Sequence, residues 1–387
     1  MRILAAGGGS GGHVTPVVAV LRELKQRVPD AEVRFWCDRK FAGSARSVMG
    51  HFDDSIRIDT IISGKLRRYH SLTLWQQLRN LRGIVLPNLR DMVLVGVGLV
   101  QSSIKLLLWR PDVVFTKGGF VCLPIGLAAK LLGIPLVIHD SDAHPGLTNR
   151  MLAKWATAIG TGAPLKFYSY PTKISHYVGV PVVAEFTPYS AERRRRIKQQ
   201  LGFTAERPLV VVTGGGLGAK RLNDAVAEQL QLLLARTNVI LISGEGQYDE
   251  MRALTPQNDE RYQLHSFVSK GMADMLGAAD VVVARAGATT ILELAALAKP
   301  TILVPNGYLT GGHQLKNAAV YAEKNAVSII DENELEARPE LLYDEIMNIL
   351  ADSSRQRVMA QVFSEFAKPH AARDMALLVL AAVKNQS

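Results

Sequence analysis

MRILAAGGGSGGH (residues 1–13) and PLVVVTGGGLGAK (residues 208–220) decide the fold of this chain. Each reads as a short apolar run, then a glycine-rich turn, then the start of an amphipathic segment. Glycine lets the backbone approach a ligand closely, and the exposed amides of a helix start favour an anion. From Gly7 to Gly214 the two copies stand 207 residues apart. That period is too long for a solenoid repeat and suits two similar α/β domains.

Working outward, β-branched runs predict strands at 2–5, 32–36, 112–116, 136–139, 209–213, 239–243, 280–284 and 301–304. Helical patterns lie between them, among others at 15–27, 123–132 and 291–297. Continuous apolar strands separated by helices indicate parallel sheets covered on both faces. The proline-bearing segment VGVPVVAEFTPYS (178–190) is the expected hinge. Domains are therefore expected at 1–180 and 181–365, with the last helix, within 366–387, returning onto the first. The chain has 387 residues, 48% hydrophobic and 21% charged, the balance of a globular protein with a full core. Two cysteines, Cys37 and Cys122, cannot staple a fold of this size and form no CxxC pair. A reducing compartment and no structural zinc are expected. The apolar run at the N-terminus is too short for a signal peptide and reads as a strand.

Net charge is +10 and unevenly spread: residues 65–110 hold eight basic residues and one acid, Asp91. Such a patch attracts phosphates of nucleotides, nucleic acid or lipid heads. The stretch 92–109 is apolar, but Gln101, Ser102, Ser103 and Lys105 interrupt it, so it is not read as a membrane span. In LTLWQQLRNLRGIVL (72–86), Leu72, Trp75, Leu78 and Leu81 fall at helical spacing beside arginines. An interfacial helix shows this pattern, and so does a core-facing helix with basic solvent residues. The run Arg193–Arg196 with Lys198 reads as a solvated helix face.

Four segments carry chemistry. In GGGSGGH (7–13) the spacing is not a clean dinucleotide fingerprint, yet Asp38 ends the second strand where such a site wants an acid, so the loop alone leaves NAD open. TKGGFVCLP (116–124) places Gly118 and Gly119 at another strand end, and TGGGLGAK (213–220) does so with Gly215 and Gly216. In ARAGATTILELAALAKP (284–300) a strand ends at Arg285, and Ala288, Thr289 and Thr290 open a helix able to bind a diphosphate. Glu293 is expected in the first turn, either accepting from ribose hydroxyls or complementing the helix dipole. The stretch HDSDAH (139–144), with His139, Asp140, Asp142 and His144, invites a metal reading. Strand alternation would separate His139 from the others, and no metal site is expected.

These segments, in this order and over almost the whole chain, resemble glycosyltransferase family 28, in the branch that adds N-acetylglucosamine to lipid I in peptidoglycan synthesis. The matching stretches are GGGSGGHVTP, TKGGFVCLPIGLAAKLLGIPLVIHDSDAHPGLTNRMLAKWA, VVTGGGLGAKRLN, and FVSKGMADMLGAADVVVARAGATTILELAALAKPTILVP followed by HQLKNA. The resemblance implies a GT-B fold: two Rossmann-like, doubly wound parallel-sheet domains with an interdomain cleft. It implies a UDP-N-acetylglucosamine donor held mainly by the C-terminal domain and an undecaprenyl-diphosphate-linked muramyl-peptide acceptor. It also implies an anionic membrane surface at the cytoplasmic face, no cofactor, and no nucleic-acid partner. Ser10, Gly11 and Gly12 would lie near the donor diphosphate and acceptor, with Val268 at the uracil. Ala288 to Glu293 would hold diphosphate and ribose, and Gln314 the sugar hydroxyls. The family's HEQN reads His139-Asp140-Ser141-Asp142 here. Val183 stands where an arginine is usual, Gly216 replaces a serine, and His313 a glutamine.

The reaction implied is a displacement at the anomeric carbon with inversion, needing a base for the acceptor hydroxyl and dipoles for the leaving diphosphate. His13, matching the family's important histidine, is the first candidate base; it would otherwise orient the loop or bind the acceptor diphosphate. Asp142 is the rival. The alternatives are another UDP-sugar or lipid acceptor, or a nucleotide-sugar-binding protein without catalysis.

Overall fold

The computed structural model describes residues 1–8, 14–66, 73, 75, 79–142, 145–216, 218–268, 270–307 and 313–384. Two compact units form, one from Met1–Val183 with Lys368–Ser387, the other from Ala184–Ala367.

In the first unit β1 (Arg2–Ala6) leads to α1 (Thr15–Arg27), then β2 (Glu32–Cys37), α2 (Ala42–Phe52) and β3 (Arg57–Thr60). A short π-helical turn, Leu81–Val85, runs into α3 (Leu86–Trp109), followed by β4 (Val113–Thr116), α4 (Cys122–Leu131), β5 (Leu136–Asp140), α5 (Leu147–Leu152), β6 (Ala158–Thr161) and β7 (Ser175–Tyr177). All seven strands are parallel, in the order β3-β2-β1-β4-β5-β6-β7. The helix Ala371–Lys384 buries Met375, Ala376, Val379 and Ala382 in the same core as Val17, Val20, Leu21 and Leu24 of α1. This C-terminal helix thus covers one face of the first sheet.

The second unit repeats the scheme. α6 (Ala191–Gln200) precedes β8 (Leu209–Thr213), α7 (Lys220–Arg236), β9 (Asn238–Ile242), α8 (Tyr248–Leu254), β10 (Tyr262–His265), α9 (Met272–Ala278), β11 (Val281–Ala284), α10 (Ala288–Ala296), β12 (Thr301–Leu303), α11 (His313–Ala322) and β13 (Ser328–Ile329). Three helices follow: α12 (Glu332–Ala337), α13 (Glu340–Ala351) and α14 (Ser353–Ser364). Strand order is β10-β9-β8-β11-β12-β13, again parallel throughout.

Both sheets reverse winding beside their first strand, between β1 and β4 and between β8 and β11. Ligands of open parallel sheets bind at the carboxyl ends of strands flanking such a switch. All four segments picked out from the sequence emerge there: two after β1 and β4, two after β8 and β11. The units also share a device at the opposite end. Asp112 accepts a hydrogen bond from the Arg2 amide at 2.7 Å, and Asp280 from the Leu209 amide at 2.8 Å. The backbone amides of Asp112 and Asp280 donate in turn to the Arg2 and Leu209 carbonyls at 2.9 and 2.8 Å, and β4 and β11 begin one residue later than expected.

The helical run 81–109 differs from the expectation. By length and composition it could cross a membrane, and less than a quarter of its most apolar window is buried. One side is fixed to the unit. Asp91, Gly98, Ser102, Leu106 and Trp109 are buried, Gln101 accepts from the Ile62 amide at 2.9 Å, and Lys105 pairs with Asp59 at 3.1 Å. A Cβ on Gly98 would sit 1.9 Å from the Ile62 carbonyl oxygen, so only glycine permits this close packing. The other side exposes Leu81, Leu86, Leu89, Met92, Val93, Val97, Val100, Ile104, Leu107 and Leu108. Trp75 is exposed as well; Leu72, Leu78 and Arg68 lie outside the described residues. The exposed face is therefore the α3 helix itself, not only the segment before it.

The arginine run on α6 is more than a solvated face. Ser190 caps the helix by accepting from the Arg193 amide, Arg193 stacks over Tyr189 at 3.6 Å, and Arg194 and Lys198 pair with Asp280 at 3.4 and 2.6 Å.

Candidate functional site: the two switch points

In the first unit, residues 9–13 lie outside the described residues, and Ser10, Gly11, Gly12 and His13 with them. Their frame is described. Gly7 donates to the Trp36 carbonyl at 3.2 Å, and α1 opens at Thr15 with no side-chain cap. The loop after β4 leans on this frame. Gly119 has φ +93°, and a Cβ there would meet the Gly8 carbonyl oxygen at 2.5 Å. Gly118 also has φ +93° and packs against Asn149, which donates to the His139 carbonyl at 3.3 Å. Asp38 is buried beside Gly8 and accepts from the Phe41 amide at 3.1 Å.

After β5 the turn 140–142 is clamped residue by residue. Asp140 accepts from the Tyr170 hydroxyl at 2.6 Å, Ser141 from the Lys117 ammonium, and the Asp142 carbonyl from the Tyr168 hydroxyl at 2.6 Å. Tyr168 and Tyr170 stack at 5.4 Å. Burial and the charge of Asp142 push Asp140 up to about 6. Burial pushes Lys117 down to about 8, with Asp142 and Asp140 opposing the shift. His139 points elsewhere: its buried ring bonds the Gly179 carbonyl at 2.8 Å, and burial holds its pKa well below the ordinary imidazole value. The side chains of His139 and Asp140 thus diverge, and His144 lies outside the described residues. Lys117, Tyr168 and Tyr170 were not singled out from the sequence. Lys117 stands inside the quoted TKGG segment, where a lysine closing an apolar strand is the available signal.

In the second unit Gly215 has φ +75° and donates to the Thr213 hydroxyl at 3.2 Å; Gly216 beside it is exposed. A Cβ on Gly218 would lie 2.3 Å from the Ser243 carbonyl oxygen. Across the switch, α10 starts at Ala288 after Gly287, with no side-chain cap, so its first amides are left for another acceptor. Thr289 and Thr290 are in that first turn and half-buried. Glu293 is not. It is the sixth helical residue, a turn and a half in, where the helix dipole has little hold. Its carboxyl is half-buried, has no hydrogen-bond or ion-pair partner among the described residues, and is pushed up by burial to about 8. Arg285 faces inward, donating to the Val304 carbonyl at 3.0 Å and pairing with Glu332. Val268 follows β10, and Gln314, in the first turn of α11, accepts from the Asn306 amide at 2.9 Å.

Two doubly wound parallel-sheet units, each with glycine loops at its switch point, make the GT-B fold. The chain belongs to glycosyltransferase family 28: the family's N-terminal domain matches residues 3–161 and its C-terminal domain residues 209–375. One relative is the UDP-N-acetylglucosamine–N-acetylmuramyl-(pentapeptide) pyrophosphoryl-undecaprenol N-acetylglucosamine transferase of Clostridium kluyveri. It is 34% identical and aligns over 90% of this chain and 91% of its own. Transferase 2 of the same name from Bacillus cereus is 30% identical over the same shares. The crystal structure of Acinetobacter baumannii MurG is 25% identical, with TM-score 0.70, covering 98% of this chain and 99% of that one.

Proposed function

We propose that this glycosyltransferase moves N-acetylglucosamine from UDP-N-acetylglucosamine to the muramyl sugar of lipid I, forming lipid II at the cytoplasmic face of the membrane. The observation carrying the donor side is the start of α10. Its uncapped amides suit a diphosphate, and Glu293 is a half-buried carboxyl with no partner among the described residues. Burying an unpaired carboxyl is costly, and two vicinal ribose hydroxyls would supply the missing donors. Arg285, engaged by Glu332 and the Val304 carbonyl, supports the site by fixing the chain that leads into this helix. Gly215 and Gly216 leave backbone open beside it, and Val268 and Gln314 are read as uracil and sugar contacts. In the first unit Ser10, Gly11 and Gly12 serve the diphosphates, Gly118 and Gly119 shape the floor, and His13 or Asp142 takes the proton of the attacking hydroxyl. The diphosphate leaves into amide dipoles, which need no metal in this scheme.

Binding tests the donor reading. UDP-N-acetylglucosamine should raise the melting temperature by ligand linkage. Glu293→Ala should weaken UDP binding by about 1–3 kcal/mol, the worth of a charge-assisted hydrogen-bond pair. The raised pKa adds a sign. At neutral pH the free protein holds Glu293 mostly protonated, and ribose hydroxyls favour the ionised form, so UDP binding should release most of one proton. Calorimetry in buffers of different ionisation enthalpy measures that release. Equal UDP affinity in Glu293→Ala, or no proton release by the wild type, would reject the ribose role.

A further inference from the structure

We propose that Lys117 is a positioning residue of the transfer reaction: through Ser141 it holds the 140–142 turn, and so sets where Asp142 stands toward the acceptor. This rests on the role for Asp142 given above. Lys117 closes β4, and its amide donates to the Ala6 carbonyl at 2.9 Å, which places it at the switch point directly below the first glycine loop. Its side chain is buried, with its ammonium on the Ser141 hydroxyl. A buried ammonium is expensive, and an apolar residue would fill this space without that cost. What the charge serves is visible around it. Asp140 is pinned by Tyr170 and by the Gly146 amide at 3.3 Å, and it repels Asp142. Both carboxylates draw on the charge of Lys117.

Among the described residues outside the turn, Cys122 and His139 do not change protonation near neutral pH. The Cys122 thiol on α4 is pushed up to about 12, and His139 on β5 is held neutral by burial and by Lys117 itself. Arg150 acts on Tyr170, one residue further out. Raising the pH through about 8 removes the proton from Lys117 and with it the charge-assisted bond to Ser141. Replacing Lys117 by methionine does the same at every pH. The alkaline limb of the rate profile is therefore expected to follow Lys117 and to vanish without it. Arginine keeps the charge and cannot deprotonate in this range.

The experiment measures kcat, KM and UDP affinity against pH for wild type, Lys117→Met, Lys117→Arg, Asp142→Asn and the Lys117→Met/Asp142→Asn double variant. The substrates are UDP-N-acetylglucosamine and a lipid I analogue. Lys117→Met should lower kcat about tenfold or more, with unchanged UDP affinity and no alkaline limb near pH 8. In the Asp142→Asn background it should cost nothing further, because the two act as one unit. Lys117→Arg should lose the alkaline limb while keeping more of kcat than Lys117→Met. Should Lys117→Met not fold, Ser141→Ala keeps the ammonium and loosens the turn, and must lower kcat without changing UDP affinity. A wild type without transfer removes the functional reading and this inference together. An active wild type whose Lys117→Met variant keeps the wild-type pH profile, or whose losses add to those of Asp142→Asn, removes the inference alone.

Discussion

Replacing His13 by alanine is expected to lower kcat by roughly 10²–10⁴-fold while leaving UDP affinity nearly intact, the signature of a lost general base. The argument is one of place and chemistry. His13 belongs to the connection between Gly8 and Val14, both of which are fixed: Gly8 by the Gly119 loop and Asp38, Val14 by accepting from the Val18 amide at 2.9 Å. In sequence it stands just before Val14, the N-cap of α1, and a helix start disfavours a neighbouring imidazolium. UDP, by contrast, is read onto the second unit, at α10 and Glu293. Stopped-flow or coupled UDP-release assays with parallel calorimetry separate the two effects. A fall in donor affinity with unchanged kcat would make His13 a binding residue and shift the base to Asp142.

The second large effect concerns the membrane. An acceptor with an undecaprenyl tail is confined to a bilayer, and the enzyme must reach it there. The exposed side of α3 offers nine apolar side chains, and Leu81 and Trp75 before it are exposed as well. Arg79, Arg82, Arg90 and Lys65 are exposed near one end, and Arg110 at the other. Apolar residues fringed by cations fit the interface of an anionic leaflet, where each basic residue is worth about 1 kcal/mol. The buried Asp91, the Gln101 bonds and the Lys105–Asp59 pair tie the opposite side to the unit, so the helix lies on the surface with its free side down. Wild-type protein should co-sediment with anionic vesicles at low salt and less so as salt rises. Lys65→Glu, Arg79→Glu and Arg82→Glu together should abolish co-sedimentation without unfolding the protein, since exposed charges carry little stability. Wild type staying in the supernatant at low salt, or a triple variant that still pellets, would make this an ordinary apolar surface.

The sequence announces what is local and repeated. β8 could be read to the residue because Pro208 closes it on one side and Gly214 on the other. The switch-point loops were legible because glycine is forced there, as the contact of Gly119 with Gly8 shows. Less legible were features set by distant partners. Asp112 and Asp280 looked like first strand residues, and only the neighbouring strand's amide reveals their role. Glu293 was placed in a first turn because the helix start cannot be read closely through ATT; the backbone begins it at Ala288. The clamp on residues 140–142 joins side chains from 24 to 30 positions apart, and no spacing rule connects Lys117 to Ser141 or Tyr170 to Asp140. Which side of α3 faces outward was also undetermined, because nearly every position in it is apolar and periodicity has nothing to contrast.

The most direct measurement is product analysis after incubating the protein with UDP-N-acetylglucosamine and a lipid I analogue in mixed micelles. The expected result is stoichiometric release of UDP with formation of lipid II, the new sugar joined with inversion at its anomeric carbon. UDP-N-acetylglucosamine that binds tightly but is never turned over, or UDP release only with a different sugar or acceptor, would contradict the proposed reaction.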